Sequence, residues 1–193
     1  MKYYISDLHL GHANILKLCN RPFGSVEEMD RTIIERWNSV VTENDEVYIL
    51  GDFNFRSSGS GAEYLKKLNG RKFLITGNHD NVTPEMRSLC EWVGAYKEIH
   101  DGDIKIVLLH YPIAEWNGAY RGNLHFYGHI HNSFGSNTYE TMKKIPNAYN
   151  VGADILDFTP RTMAGVIECN EKVNGGYTGG ASYGWHANTT GRA

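Results

Sequence analysis

The stretch Val47-Tyr48-Ile49-Leu50-Gly51-Asp52 is a short, unbroken apolar run closed by a glycine and an aspartate. Such a run is typical of a strand buried on both faces, as in a parallel sheet covered by helices. Two similar runs lie on either side along the chain, Lys2–Ile5 before Ser6-Asp7 and Lys72–Ile75 before Thr76–Asp80. Helical patterns separate the three runs. The order predicts an α/β fold with right-handed crossovers and a parallel sheet.

Further helices and strands are predicted along the chain. Helical patterns cover four segments: His12–Cys19, Ser25–Val41 with the capping box Ser25-Val26-Glu27-Glu28, Ala62–Leu68 and Pro84–Val93. Strand patterns cover four more: Ile104–Leu109, Leu124–Tyr127, Asn147–Val151 and Met163–Cys169. The strand-rich second half indicates a second sheet or an extension of the first. Residues 1–173 form the predicted domain, and Asn174–Ala193 is rich in Gly, Ser, Thr and Asn, which favours a flexible tail.

Composition limits the function classes. The chain has 193 residues, 41% of them hydrophobic, and a formal net charge of −3, so no basic field favours nonspecific binding to nucleic acid or membranes. Its three cysteines, Cys19, Cys90 and Cys169, share no short spacing, which argues against disulfides and a thiolate zinc site. The N-terminus has no apolar core of signal-peptide length, and no run reaches transmembrane length. We expect a cytoplasmic protein.

Polar side chains able to bind a metal follow five predicted strands. They are Asp7 and His9, Asp52, Asn78 and His79, His110, and His129 and His131. Any one of them alone is better interpreted as a turn residue or a hydrogen-bonded histidine. In open α/β sheets, however, ligands bind beyond the carboxyl ends of the strands, so five such ends together predict one shared site.

The number of ligands indicates two metal ions rather than one. Seven groups, all of these except His79, exceed what one tetrahedral ion takes, and they suit two ions sharing a carboxylate. Nitrogen and oxygen ligands suit manganese, our first expectation, and also iron, nickel or zinc. Two divalent ions outweigh the charge of two aspartates, so the site would attract an anion. A hydroxide held between two cations is a nucleophile suited to attack on phosphorus.

These motifs, taken in order, resemble those of the calcineurin-like metallophosphoesterases, in particular the small single-domain bacterial and phage members. The resemblance spans Met1–Cys169 and rests on Asp7-x-His9, Gly51-Asp52, Gly77-Asn78-His79-Asp80, His110 and Gly128-His129-Ile130-His131. Asn150–Asp154 also resembles a late segment of those members. The resemblance implies a four-layer αββα sandwich, with two mixed sheets flanked by helices.

The resemblance also implies roles for the matched residues. Asp7, His9, Asp52 and His131 would bind one metal ion. Asp52 would bridge to the second ion, which Asn78, His110 and His129 would also bind. His79 would be the general acid that protonates the leaving group, a role that a histidine beside a metal ligand can fill. The implied reaction is hydrolysis of phosphodiester or phosphomonoester bonds.

One departure from the family pattern concerns the partner of His79. The protein-phosphatase branch has an aspartate three residues after the bridging aspartate, where this chain has Phe55. Asp80 and Asn54 are the candidate replacements.

Three residues are candidates for contact with the substrate phosphate. Arg56 matches the next arginine of the protein-phosphatase motif and is either a phosphate clamp or a solvated loop residue. His12 either contacts phosphate or hydrogen-bonds the backbone at a helix start. Arg21 either reaches the site or packs within its loop, and packing is the favoured interpretation.

The chain is too short for a large cap domain, so we expect an open cleft for a small phosphorylated or nucleotide substrate. A nuclease acting on DNA or RNA is the alternative enzyme, and the net charge of −3 disfavours it. A non-catalytic scaffold on the same fold is the non-enzyme alternative. Such a scaffold would be expected to have lost ligands, and all seven are present. No membrane partner is expected.

Overall fold

The protein is described here by a computed structural model covering residues 1–55 and 61–175. The first sheet has four parallel strands in sequence order. They are β1 (Lys2–Ile5), β2 (Glu46–Leu50), β3 (Arg71–Ile75) and β4 (Trp92–Gly94). The three predicted strands and their parallel pairing are confirmed, and β2 is buried from Val47 to Leu50.

The second sheet also has four strands in sequence order. They are β5 (Tyr96–Asp101), β6 (Ile104–Leu109), β7 (Leu124–Tyr127) and β8 (Ala148–Asn150). Strands β5 and β6 form an antiparallel hairpin, whereas β6, β7 and β8 pair in parallel. The strand-rich half of the chain therefore forms a separate mixed sheet rather than an extension of the first.

In residues 1–55 and 61–175, six α-helices accompany the sheets. They are α1 (Ile15–Leu18), α2 (Val26–Val40), α3 (Gly61–Leu65), α4 (Pro84–Ser88), α5 (Asn137–Met142) and α6 (Met163–Val173), with a 3₁₀ turn at Ala119–Arg121. Helix α2 begins as its sequence predicts, because the Ser25 side chain accepts the N–H of Glu28 at 3.2 Å. The Glu28 carboxylate accepts the N–H of Gly24 at 2.7 Å. Met29, Ile33 and Trp37 form its buried face.

The predicted strand at Met163–Cys169 is wrong, because this segment begins helix α6. The Thr162 side chain accepts the N–H of Gly165 and caps the helix, and Val166 and Asn170, four residues apart, are buried. Asn170 accepts the N–H of Asn150 at 3.0 Å and donates to its carbonyl at 2.8 Å. Helix α6 therefore satisfies the main chain of Asn150, the last residue of the edge strand β8.

The predicted helix at Pro84–Val93 is only partly right. It ends at Ser88, and Trp92–Gly94 forms β4, paired in parallel with β3. No strand is predicted from the sequence at Tyr96–Asp101, and in the structure this segment forms β5. Both strands lie at sheet edges, where one side of the ladder is unpaired and the apolar pattern is weak.

The two sheets pack face to face through β1. The Tyr4 ring meets the Phe126 ring edge-on at 4.9 Å, and its hydroxyl donates to Asp101 at 2.9 Å. Main-chain bonds then join the end of β1 to the end of β8, from the N–H of Ser6 to the carbonyl of Val151 at 2.8 Å. The four-layer αββα sandwich with two sheets flanked by helices is confirmed. Of the two predicted mixed sheets, only the second is mixed, because β1 to β4 all pair in parallel.

Two sequence expectations fall outside the described residues. They are the loop position Arg56 and the tail from residue 176 onward. Within residues 1–55 and 61–175, no helix combines the length and the apolar character needed to cross a membrane.

His125 gives the fold a pH-dependent stability. It is fully buried on β7, where Nε2 accepts the N–H of Ile113 at 3.3 Å and Nδ1 donates to the carbonyl of Val107 at 3.2 Å. Both ring nitrogens of the neutral tautomer are thus satisfied. Burial lowers the pKa of His125 from 6.5 to about 4. Between these values the unfolded chain binds the proton and the folded chain does not, so acid favours unfolding.

We therefore expect His125→Gln to flatten the acid side of the stability profile. The wild type should lose up to about 1.4 kcal/mol more than the variant for each pH unit between pH 6.5 and 4. Urea unfolding with a chelator present measures this difference. His100→Gln is the control, because His100 is exposed on β5. Identical pH slopes for wild type and His125→Gln would contradict the assignment.

Candidate metal centre

The candidate ligands lie in strained turns at the ends of strands. Five of them have left-handed backbone conformations: Asp7 (φ 55°), His9 (50°), Asp52 (51°), His129 (69°) and His131 (48°). Non-glycine residues rarely adopt this conformation, and each such residue costs roughly 1–3 kcal/mol. Strain of this kind persists only where the surroundings enforce it, and it clusters at functional sites.

Two glycines let the backbone approach the carboxylates closely. A Cβ at Gly128 would collide with the side chains of Ser6 and Asp7, and a Cβ at Gly77 would collide with the carboxylate of Asp52. The motif glycines before His129 and Asn78 therefore serve the packing of the aspartates rather than flexibility.

The first ligand group consists of Asp7, His9 and His131. One ligand atom from each lies within 4.8 Å of the others, and Asp7 and His9 are buried. His131 Nε2 is 3.8 Å from Asp7 Oδ1. These residues follow β1 and β7, so the group joins the two sheets.

The second ligand group consists of Asp52, His110 and His129, again with atoms within 4.8 Å of one another. Asp52 Oδ2 is 3.5 Å from His110 Nε2 and 3.6 Å from His9 Nε2, a member of the first group. One carboxylate oxygen thus lies between the two groups, as a bridging ligand requires.

Asn78 extends the second group. Its Oδ1 is 3.0 Å from His110 Nε2. On the other side of the His110 ring, Nδ1 is 2.8 Å from the carbonyl of Leu50. Donation from Nδ1 to that carbonyl leaves Nε2 as the nitrogen that faces Asn78 and Asp52.

His9 shows that these residues fit a metal ion. Both of its ring nitrogens are buried without a hydrogen-bond partner in the described chain, and its side chain is 3% exposed. Burial and then the neighbouring charges of His131 and Arg21 lower its pKa to about 2, so the ring is neutral. A buried polar nitrogen without a partner is costly, and a neutral imidazole is the form that coordinates a metal. The chemistry of the donor set therefore fits divalent cations.

Asp7, in the same ligand group, is also held tightly. Its carboxylate is fully buried, accepts the N–H of His129 at 3.0 and 3.1 Å, and accepts the Ser6 hydroxyl at 2.5 Å. Burial raises the pKa of Asp7. A bound cation would supply the countercharge that favours the ionised form.

Asp80, predicted as a catalytic residue and a partner of His79, contacts the main chain of two turns. Its carboxylate accepts three main-chain N–H groups, from Asp52 at 3.0 Å, Phe53 at 2.9 Å and Gly77 at 2.8 Å. In the described residues it makes no hydrogen bond to the His79 ring. Asp80 therefore ties the turn after β2 to the turn after β3.

His79 lies at the opening of the site. It is exposed, its ring centroid is 5.7 Å from that of His9, and its N–H donates to Asp52 Oδ1 at 2.9 Å. The other suggested partner, Asn54, donates to the Phe55 carbonyl at 3.4 Å. The structure thus brings His79 to the ligands but places neither suggested partner on its ring.

The candidates for contact with the substrate phosphate differ in their surroundings. His12 lies beside the first ligand group, with its ring centroid 3.9 Å from the stacked Phe55 ring and 5.4 Å from the His9 ring. Burial lowers the pKa of His12. Arg21 is 5% exposed, and all five of its N–H groups are directed at protein acceptors, so it packs within the protein and is not brought to the cleft. Arg56 is outside the described residues.

Sequence reasoning missed Asp154. Its Oδ2 is 2.8 Å from His131 Nδ1, and Arg21 donates to both of its oxygens. Although burial favours the neutral acid, His131 and Arg21 lower the pKa of Asp154. Burial opposes the charge on His131, but Asp154 raises the pKa of His131 to about 10. The available signal was the resemblance of Asn150–Asp154 to a late family segment.

Comparisons with known proteins fit this architecture. No protein-family model matches the chain. An uncharacterized protein of Methanocaldococcus jannaschii is 34% identical over 172 residues, covering 88% of this chain and 91% of that protein. The gene 66 protein of Mycobacterium phage L5 is 32% identical over 162 residues, covering 67% and 76%. The crystal structure of a protein of unknown function from Aquifex aeolicus has a TM-score of 0.68 and 26% identity, covering 87% and 98%.

The fold and the two ligand groups define an αββα protein with a candidate two-metal centre. The chain belongs to the family of the Methanocaldococcus jannaschii protein and the phage L5 gene 66 protein.

The position of Asp52 predicts how the two ions depend on each other. Asp52→Asn should reduce the affinity of both ions, because Oδ2 lies between the two ligand groups. Elemental analysis after dialysis, together with metal titration, measures the loss. Asp103→Asn, in an exposed turn, is the control. Normal occupancy of both ions in Asp52→Asn would show that this carboxylate is not the bridge.

Proposed function

We propose that this protein is a metal-dependent phosphoesterase of the calcineurin-like type. The observation that carries the proposal is the oxygen of Asp52 between two ligand groups, 3.6 Å from the unpartnered His9 and 3.5 Å from His110. Two divalent ions at such a site would polarise a phosphate oxygen and activate water for attack on phosphorus. The nitrogen and oxygen donors favour manganese, with iron, nickel or zinc as alternatives.

Different side chains would bind the two ions. Asp7, His9 and His131 hold the first ion, and Asp52 is shared. The second ion is held by His110, His129 and Asn78. Asn78 is exposed, so this side of the centre faces the solvent and an incoming phosphate.

His79 is proposed as the general acid. It is exposed at the mouth of the site, and its main chain is fixed by the 2.9 Å hydrogen bond to Asp52. It can therefore hold a proton beside the leaving oxygen and exchange that proton with solvent. No ligand role is required of it, because the seven other groups account for both ions.

The substrate is proposed to be a small phosphorylated molecule or a nucleotide, with a phosphodiester favoured by the open site. Tyr111 is 44% exposed, and its ring lies 4.6 Å from the His129 ring, so it offers a face to an aryl or nucleoside group. The net charge of −3 disfavours a long nucleic acid.

The test is hydrolysis by metal-free protein reconstituted separately with manganese, zinc, nickel and iron(II). Nitrophenyl monoesters and diesters, cyclic nucleotides and short DNA and RNA strands are the substrates. Hydrolysis of small esters that depends on two bound ions is expected. Cleavage of nucleic acid alone would favour the nuclease. Two bound ions without turnover on any substrate would favour the scaffold.

The proposed general-acid role of His79 predicts that its loss lowers the hydrolysis rate of some substrates more than that of others. A general acid matters most for a poor leaving group such as an alkoxide, and least for a nitrophenolate. His79→Asn should keep both ions and much of its activity on nitrophenyl diesters, but lose roughly 10²–10⁴-fold on alkyl esters. Steady-state rates on both substrate types, with metal analysis, measure this split.

The control is His100→Asn, an exposed histidine on β5. Equal losses on both substrate types would show that His79 stabilises charge or binds phosphate. Loss of an ion would instead make His79 a ligand.

A further inference from the structure

A buried ion pair lies directly behind the first ligand group. Arg21 Nε donates to Asp154 Oδ1 at 2.9 Å, and Nη2 donates to Oδ2 at 3.0 Å. The two side chains are 0% and 2% exposed. Burying two charges costs several kcal/mol per ion before their attraction is counted, and apolar residues of similar size often serve stability as well. The pair therefore needs an explanation other than stability.

The contacts of the pair converge on the first ligand group. Asp154 Oδ2 is 2.8 Å from His131 Nδ1, and Arg21 Nη2 donates to the carbonyl of Asp7 at 2.6 Å. Arg21 Nη1 donates to the carbonyl of Leu8 at 2.8 Å. The pair thus connects the turn after β7, which carries His131, with the turn after β1, which carries Asp7.

The second ligand group has different support. His110 Nδ1 faces the Leu50 carbonyl at 2.8 Å, and this contact is to the main chain of the adjacent strand. The hydrogen bonds of Arg21 and Asp154 in the described residues include none to Asp52, His110 or His129. The Arg21–Asp154 pair therefore contacts only the first group directly, and the Asp7 carboxylate links that group to the second by accepting the N–H of His129.

We propose that Asp154, fixed by Arg21, is a positioning residue for the first metal ion only: its Oδ2 accepts a hydrogen bond from Nδ1–H of His131 and so turns Nε2 towards Asp7. This inference rests on the metal centre of the proposed function. A carboxylate behind a metal-binding histidine fixes its tautomer and orientation, and its loss typically costs 10–100-fold in metal affinity. Here that cost should fall on one ion of the two.

Cys19 offers a competing arrangement. Its sulfur, His131 and Asp154 also have atoms within 4.8 Å of one another. A metal bound there would have to compete with Arg21, which already donates to both oxygens of Asp154. Cys19→Ser separates the two arrangements, because it should leave metal binding unchanged if Asp154 serves only as a hydrogen-bond acceptor.

The test is zinc titration of metal-free protein, followed by calorimetry and by the ring ¹⁵N signals of the histidines. Asp154→Asn should weaken one zinc ion by roughly 10–100-fold and leave the other unchanged. The remaining zinc should shift the signals of His110 and His129 but not that of His131. Asp157→Asn is the matched control, because Asp157 pairs with Arg36 on the surface at 2.8 Å. Equal weakening of both ions, or of neither, would overturn the inference.

Asp154→Asn leaves the Arg21 charge buried and unpaired, which can prevent folding. The double variant Arg21→Met with Asp154→Leu removes both charges and should show the same loss of one ion. Wild-type zinc binding by this double variant would overturn the inference. None of these measurements involves a phosphate ester. Two zinc ions without hydrolysis would therefore refute the proposed function alone, whereas a wild type that binds no zinc would refute the centre and this inference together.

Discussion

Two carboxylates buried between the sheets impose the constraint on which the rest of the site depends. Asp7 is 0% exposed and Asp52 is 2% exposed. A buried carboxylate must be paired or neutralised, and here main-chain N–H groups, a hydroxyl and histidines surround them. Those donors can reach the carboxylates only if the strands end in tight turns that fold back over them. The strained backbone is therefore a consequence of placing negative charge in the core.

The sandwich supplies the stiffness that this strain requires. Parallel pairing brings the ends of β1, β2 and β3 to one edge, and the main-chain bond from Ser6 to Val151 places the second sheet against it. Asp80 then fixes the turns after β2 and β3 relative to each other through three N–H groups. Because the candidate ligands lie in turns close to the ends of sheet strands, the sheets hold the two ligand groups at a fixed spacing.

Features that are local in the sequence could be predicted. Contacts between residues far apart in the chain could not. The apolar runs of β1, β2 and β3 predict the parallel sheet, and the polar residues after them lie close together in the folded chain. The largely apolar segment Met163–Cys169 predicts a strand, but the Thr162 side chain caps it as the start of helix α6. Asp154 does not belong to any metal-ligand motif that can be recognised in the sequence. Its partners lie 23 and 133 residues away, so only the folded chain shows its role.

Phe55 departs from the protein-phosphatase pattern, and this departure bears on the contacts of His12 and His79. Where the protein-phosphatase pattern has an aspartate, this chain has a ring that stacks on His12 at 3.9 Å. Asp80 is occupied by the main chain, and no carboxylate in residues 1–55 and 61–175 hydrogen-bonds the His79 ring. A buried acid would need such a partner to hold its orientation, but an exposed histidine can exchange its proton directly with water. The stacked pair of His12 and Phe55 lies beside His9, as His79 does. Under the proposed function, this pair would limit where a leaving group can lie beside His79.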